Sequence, residues 1–129
     1  MQAMRNDNTR ALINKRGFLN TLQCPVLGWL TVNDCQTFHP TPGDLFRMEL
    51  GNEINNRARC LYPHGFLIDD HRMGSAVKKT RELINDNSMS VLFEAAFLAG
   101  GFAARADIII RQNHGWHLVE VKSALEDSD

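Results

Sequence analysis

Residues 101–123, GFAARADIIIRQNHGWHLVEVKS, constrain the fold of this chain more than any other stretch. Two runs rich in Ile, Val and Trp flank RQNHGW, whose Asn and Gly read as a turn, so the segment is expected to form a β-hairpin. Charges interrupt both arms: Arg105 and Asp107 in the first, Glu120 and Lys122 in the second. A hairpin that only builds a core has no use for ionisable groups there, because a buried charge must be paired or neutralised.

The preceding residues, SVLFEAAFLAGGF, carry a conflict. Their Glu, Ala and Leu favour a helix by propensity, whereas the closing Gly-Gly is a hairpin signal. We read a strand, so that a three-strand antiparallel meander covers residues 90–123. Opposed residues in such a pair have a constant index sum. A turn at Gly100-Gly101 gives a sum of 201 and sets Glu94 opposite Asp107; a turn centred on Asn113-His114 gives 227 and sets Asp107 opposite Glu120. Directly opposed residues share a face, so three carboxylates fall in one row. Lys122, two residues beyond Glu120, lies on the same face. Neighbouring strands are about 4.8 Å apart, where two carboxylates repel by roughly 3 kcal/mol at an effective dielectric of about 20. Either the row is screened on a solvent-exposed face and partly paired to Arg105 and Lys122, or a divalent cation offsets it. Carboxylate oxygens are ligands that Mg²⁺ and Mn²⁺ prefer.

The rest of the chain reads as helical scaffolding. Residues 1–9 are expected to be disordered. Residues 10–32 have helical apolar spacing that Gly17 and Pro25 should interrupt. NDCQTFHPTPG is a loop by composition, and Thr41-Pro42 resembles a helix start. Leu45, Met48, Ile54, Ala58 and Leu61 form an apolar stripe, and Pro63 ends that helix. PHGFLIDDHRMG is a loop or a short strand. SAVKKTRELINDN is a helix with Ser75 as N-cap and Val77, Leu83 and Ile84 facing inward. Its Lys78, Lys79 and Arg81 are read as a solvated face.

At 129 residues with 43% hydrophobic and 22% charged composition, one globular domain spanning 1–129 is expected. The net charge of −1 gives no global signal for a polyanion, so nucleic-acid binding would need a local patch or bound cations. Three cysteines, Cys24, Cys35 and Cys60, without a CxxC pair, suggest reduced thiols in the cytoplasm. No apolar run approaches a membrane span. His64 and His71 flank Asp69-Asp70 without a recognisable ligand spacing, His114 belongs to the turn, and His117 alternates to the face opposite Glu120. GxSxG, Walker-type GKS/T, GxGxxG and HExxH motifs do not occur.

Asp107 followed after twelve intervening residues by Glu120-Val121-Lys122 resembles the signature of the PD-(D/E)XK nuclease superfamily. The stretches RADIII and WHLVEVKS are similar in particular to its RecB-like branch, which includes the CRISPR-associated RecB-like exonucleases and uncharacterised bacterial relatives. GNEINNRARCLYPHGFLI, LFEAAF and FLNTLQCPVLGWL extend the resemblance over residues 18–123. The resemblance implies an α/β (α+β) fold with a restriction-endonuclease-like core: a central mixed sheet whose antiparallel meander carries the site, flanked by N-terminal helices. It implies Mg²⁺- or Mn²⁺-assisted phosphodiester hydrolysis. Asp107, Glu120 and the Val121 carbonyl would hold the metal, with Glu94 as a further ligand. Lys122 would orient or activate the attacking water. Asn55 stands where many relatives carry a histidine ligand, with Glu53 nearby. Cys24 matches the first cysteine of the iron–sulfur members, but no cysteine follows Lys122, so no such cluster is expected.

The chain ends seven residues after Lys122, short of the helix and strand the resemblance would place there. It is therefore read as a fragment, as a chain completed by a homodimer or partner protein, or as a shortened relative. The leading functional expectation is a metal-dependent nuclease acting on DNA. Its competitors are a non-catalytic nucleic-acid-binding or assembly subunit with a nuclease-like fold, and a metal-binding fold or an incomplete fragment with no activity alone.

Overall fold

The computed structural model describes residues 11–33, 35 and 39–123. The disorder expected of residues 1–9 falls outside them, as do Asp34, residues 36–38 of the expected loop and the last six residues. Among the described residues four helices and four strands follow in the order α1 (Lys15–Gln23), α2 (Pro25–Val32), α3 (Pro42–Cys60), β1 (Phe66–Leu67), α4 (Met73–Asn85), β2 (Val91–Ala99), β3 (Phe102–Gln112) and β4 (Gly115–Val119). The strands form one mixed sheet in the order β1-β2-β3-β4, with β1 parallel to β2. Segment 90–102 is thus a strand and a turn, against its helical propensity. No helix among the described residues is long and apolar enough to cross a membrane.

The chain divides into two compact units. One contains α1, α2 and residues 98–104 at the tip of the β2–β3 hairpin. Pro25 starts α2, as its missing N–H allows. Gly17 does not break α1 as expected. It sits near the helix start, where Asn14 Oδ1 accepts its N–H at 2.9 Å. A Cβ there would stand 3.0 Å from Val32 Cγ2, so the glycine lets α2 approach. Ile13 forms a parallel bridge to Phe102, and the Phe18 and Phe102 rings meet edge to face at 6.4 Å.

The other unit contains α3, α4 and the body of the sheet. Thr41 caps α3 in a reciprocal box with Asp44. Hydrogen bonds from the Thr41 hydroxyl and backbone N–H, then from Arg47, lower the Asp44 pKa to about 2. The apolar stripe expected on α3 is not a buried face. The helix has no buried residue, and Leu45, Met48 and Leu61 are exposed. Its nineteen residues span about 28 Å, and the residues packed against the sheet's apolar cluster are Ala58 and, just beyond the helix, Tyr62.

Helix α4 covers Leu92, Ala95, Ala96, Ala106 and Ile109 with Ala76 and Leu83. Val77 and Ile84 pack at the margin, as their spacing predicts. Ser75 is not the N-cap. The helix begins at Met73 with Arg72 in the cap position, and the Ser75 hydroxyl instead bonds to Asp70. That bond, with the Arg72 N–H at 2.9 Å, holds the Asp70 carboxyl below its ordinary value. At the other end of α4, Arg111 donates to the carbonyls of Ile84, Asp86 and Met89 while stacking on Trp116 at 4.3 Å. A guanidinium there complements the negative end of the helix dipole.

Candidate functional site

The β3–β4 hairpin forms in the register its sequence predicts. Ile108 pairs with Val119, Ile109 with Leu118 and Ile110 with His117, each with an index sum of 227. The next opposed positions are Asp107 and Glu120, one step past the end of β4. The ladder stops there because Asp107 replaces a backbone acceptor with its carboxylate: Oδ2 accepts the Val121 N–H at 2.8 Å. Lys122 turns back onto Glu120, Nζ to Oε1, at 2.5 Å, with 66% and 50% of the two side chains exposed.

The β2–β3 hairpin turns at Gly100-Gly101, both at positive φ (57° and 85°), as a tight two-residue turn needs. At its far end the Arg111 N–H reaches the Ser90 carbonyl at 2.7 Å, a pair that again sums to 201. The register is thus the same at both ends of the hairpin.

Between those ends the strand is distorted. Glu94 has φ 56°, and among the described residues no other non-glycine residue is at positive φ. A left-handed backbone costs a side-chain-bearing residue of order 1–2 kcal/mol. Adjacent strand residues normally point to opposite faces. Here Phe93 and Glu94 both address α3. The Arg59 guanidinium lies 6.0 Å from the Phe93 ring centre and donates to Glu94 Oε1 at 2.9 Å. The two charged side chains are 24% and 26% exposed.

Contacts distant in sequence hold the distortion. Arg105 donates to the Glu94 carbonyl at 3.5 Å and to the Asp70 carbonyl. Thr80, buried on α4, donates to the Ala76 carbonyl and accepts the Ala96 N–H, each at 2.8 Å. The Ile68 N–H reaches the Phe93 carbonyl at 3.1 Å.

The three carboxylates expected in one row are each engaged separately: Glu94 by Arg59, Asp107 by the Val121 N–H, Glu120 by Lys122. Among the described residues no group of three or more His, Cys, Asp or Glu side chains is gathered to hold a metal ion. The solvated-face alternative predicted Arg105 and Lys122 as partners of this row: Lys122 does pair with the exposed Glu120, whereas the Arg105 guanidinium goes to backbone carbonyls.

The other candidates separate from the row. Asn55 lies half-buried on α3, one turn before Arg59, while Glu53 is exposed and paired to Arg57 at 2.5 Å. His64, His71, His114 and His117 are exposed. Cys24, Cys35 and Cys60 are free and exposed. A shallow depression lined by Gln112, Asn113, His114, Gly115 and Trp116 lies at the hairpin tip. Five steps along the strand, about 17 Å, separate Gln112 from Asp107. Sequence reasoning missed Arg59, the most direct partner of Glu94. Its one signal was its place four residues after Asn55, one helical turn along the same face.

No family model matches the chain, and neither a curated protein nor a solved structure does.

Proposed function

We propose that the chain is a metal-dependent nuclease that hydrolyses phosphodiester bonds of DNA, with a restriction-endonuclease-like core and a cytoplasmic location. The observation that carries this reading is the register of the β3–β4 hairpin, which sets Asp107 against Glu120 with Lys122 two residues on. The donor set fits the group. Two carboxylates from adjacent strands, with the Val121 carbonyl, offer oxygen ligands only, the kind Mg²⁺ and Mn²⁺ select. Glu94 would add a third carboxylate once released from Arg59.

The bound cation would polarise a phosphoryl oxygen and lower the pKa of its water. The chain's own residues supply the rest. The Val121 N–H fixes one oxygen of Asp107 and so orients the carboxylate. Lys122, on a mobile four-carbon stem, can leave Glu120 for the attacking water or a phosphate oxygen, where its charge stabilises the transition state. The test is cleavage of circular and linear DNA, single- and double-stranded, in Mg²⁺ and in Mn²⁺. Glu120→Ala and Lys122→Ala should each abolish it with the fold intact. Activity that survives both changes sinks the assignment.

A second reading, a non-catalytic nucleic-acid-binding or assembly subunit, is favoured by one observation: Arg59 and Lys122 already neutralise Glu94 and Glu120 within the chain. It predicts binding without cleavage, with affinity falling as salt rises.

A further inference from the structure

The depression lined by Gln112, Asn113, His114, Gly115 and Trp116 holds about 510 Å³, room for a planar ring. Trp116 is fixed in place there. It packs against the core cluster under α4 and stacks on the Arg111 guanidinium, which the carbonyls of Ile84, Asp86 and Met89 hold in turn. An aromatic side chain fixed before binding offers contact area at little entropic cost. The rest of the lining supplies amide and imidazole groups that donate and accept hydrogen bonds, and it contains no carboxylate to repel a polyanion. Gly115 has φ 143° and open space where a side chain would stand, so a ring can approach the backbone. These features fit a nucleobase, which has a π-face for the indole and a hydrogen-bonding edge for the amides. Within a duplex that face is covered by neighbouring bases, so the ligand is single-stranded.

We infer that the depression is a stacking site for a base of single-stranded DNA, with Trp116 as the platform and Gln112, Asn113 and His114 at the base edge. The inference rests on the nucleic-acid reading above and names its substrate class. Strand β4 links the platform to the candidate site. Trp116 pairs with Arg111 and Leu118 with Ile109, so both stand on one face of the sheet, and Leu118 is 62% exposed. The next position of that alternation is Glu120, four strand steps or about 14 Å from Trp116. A short single strand stacked on Trp116 can therefore run over Leu118 and bring a phosphate to Lys122. Trp116 binds substrate here and touches no reacting atom.

The test uses the full chain in EDTA, with a dye-labelled oligothymidylate and its duplex with oligoadenylate as probes. Anisotropy of the dye reads binding. Trp116 emission reads stacking, once Trp29→Phe has removed the other tryptophan, exposed on α2. The single strand should quench Trp116 with the same midpoint as its anisotropy, and the duplex should leave Trp116 unquenched. Trp116→Leu keeps an apolar side chain against the core and removes the ring; single-strand binding should weaken about five- to a hundredfold. Asn113→Asp sets a carboxylate in the depression and leaves the core untouched; it should weaken the same binding several-fold with an unchanged melting temperature. Single-strand binding that leaves Trp116 unquenched, or that is as tight in Asn113→Asp as in the wild type, overturns the inference but leaves the nucleic-acid reading standing. DNA cleavage in Mg²⁺ without single-strand binding in EDTA overturns the inference and keeps the nuclease. Neither binding nor cleavage overturns both.

Discussion

The two hairpins of the meander share β3 yet are built on opposite principles. The β3–β4 hairpin is local: its ladder keeps one index sum over five pairs, and the Asp107 carboxylate closes it within the hairpin itself. The β2 side is assembled from outside. Arg59 of α3, Thr80 of α4 and the Asp70 carbonyl all bear on the few residues around Glu94. A charge on a locally determined hairpin can be placed by sequence alone. A charge on a strand bent by distant contacts depends on the whole fold.

The sharpest way to break that contrast is activity. Glu120→Ala or Lys122→Ala should lower DNA cleavage by at least about a hundred- to a thousandfold, with a melting temperature close to wild type. A large loss of stability would mean the hairpin end is not independent after all. Leu92→Ala, at a fully buried position on β2, should cost about 2–5 kcal/mol in urea unfolding. Ala substitution at Leu118, 62% exposed on β4, should cost far less. Thr80→Val keeps the volume but strips the Ala96 N–H of its acceptor. About 1–3 kcal/mol should be lost, and a neutral result would show that β2 does not lean on α4 at that point.

Smaller effects probe Glu94 and α3. Glu94→Gly relieves the backbone strain and forfeits the Arg59 pair, so the two changes should offset to within about 1 kcal/mol. Glu94→Val, β-branched at positive φ, should be clearly worse than Glu94→Gly. Asp44 gives a pH signature separate from the sheet. Its pKa is depressed from 3.8 to about 2 in the folded state, so its stabilisation of α3 is complete above its ordinary value. It fades as the pH falls through the folded one. Helical circular dichroism between pH 4 and 2 should show an acid-side loss in the wild type that Asp44→Asn lacks, and the effect should be small because the Arg47 partner is largely exposed and solvent screens the pair.

Period-two patterning and two-residue turns are local signals, which is why β2, β3, β4 and both registers are legible in the sequence. Proline at a first helical turn and Thr41-Pro42 are equally local, and α2 and α3 begin where they say. What fails is anything decided elsewhere. Ser75 looks like a cap, but the Asp70 carboxylate recruits its hydroxyl. The stripe from Leu45 to Leu61 has helical spacing, yet spacing cannot tell that only the C-terminal turn of α3 meets the sheet. The opposed positions of Glu94, Asp107 and Glu120 follow from counting. The engagement of Glu94 by Arg59 does not, because glutamate carries no local preference for positive φ and nothing near Arg59 announces its partner.

The sheet also places its shortest strands outermost. Two residues of β1 and five of β4 flank central strands of nine and eleven. An exposed strand edge invites another chain to add a strand and begin an aggregate. On the β4 side the strand is brief, and its ladder to β3 ends where the Asp107 side chain takes the inward-facing Val121 N–H. The same Asp107 that is a candidate ligand thus acts as a stop against sheet extension, and its replacement by an apolar residue would open a longer edge to aggregation.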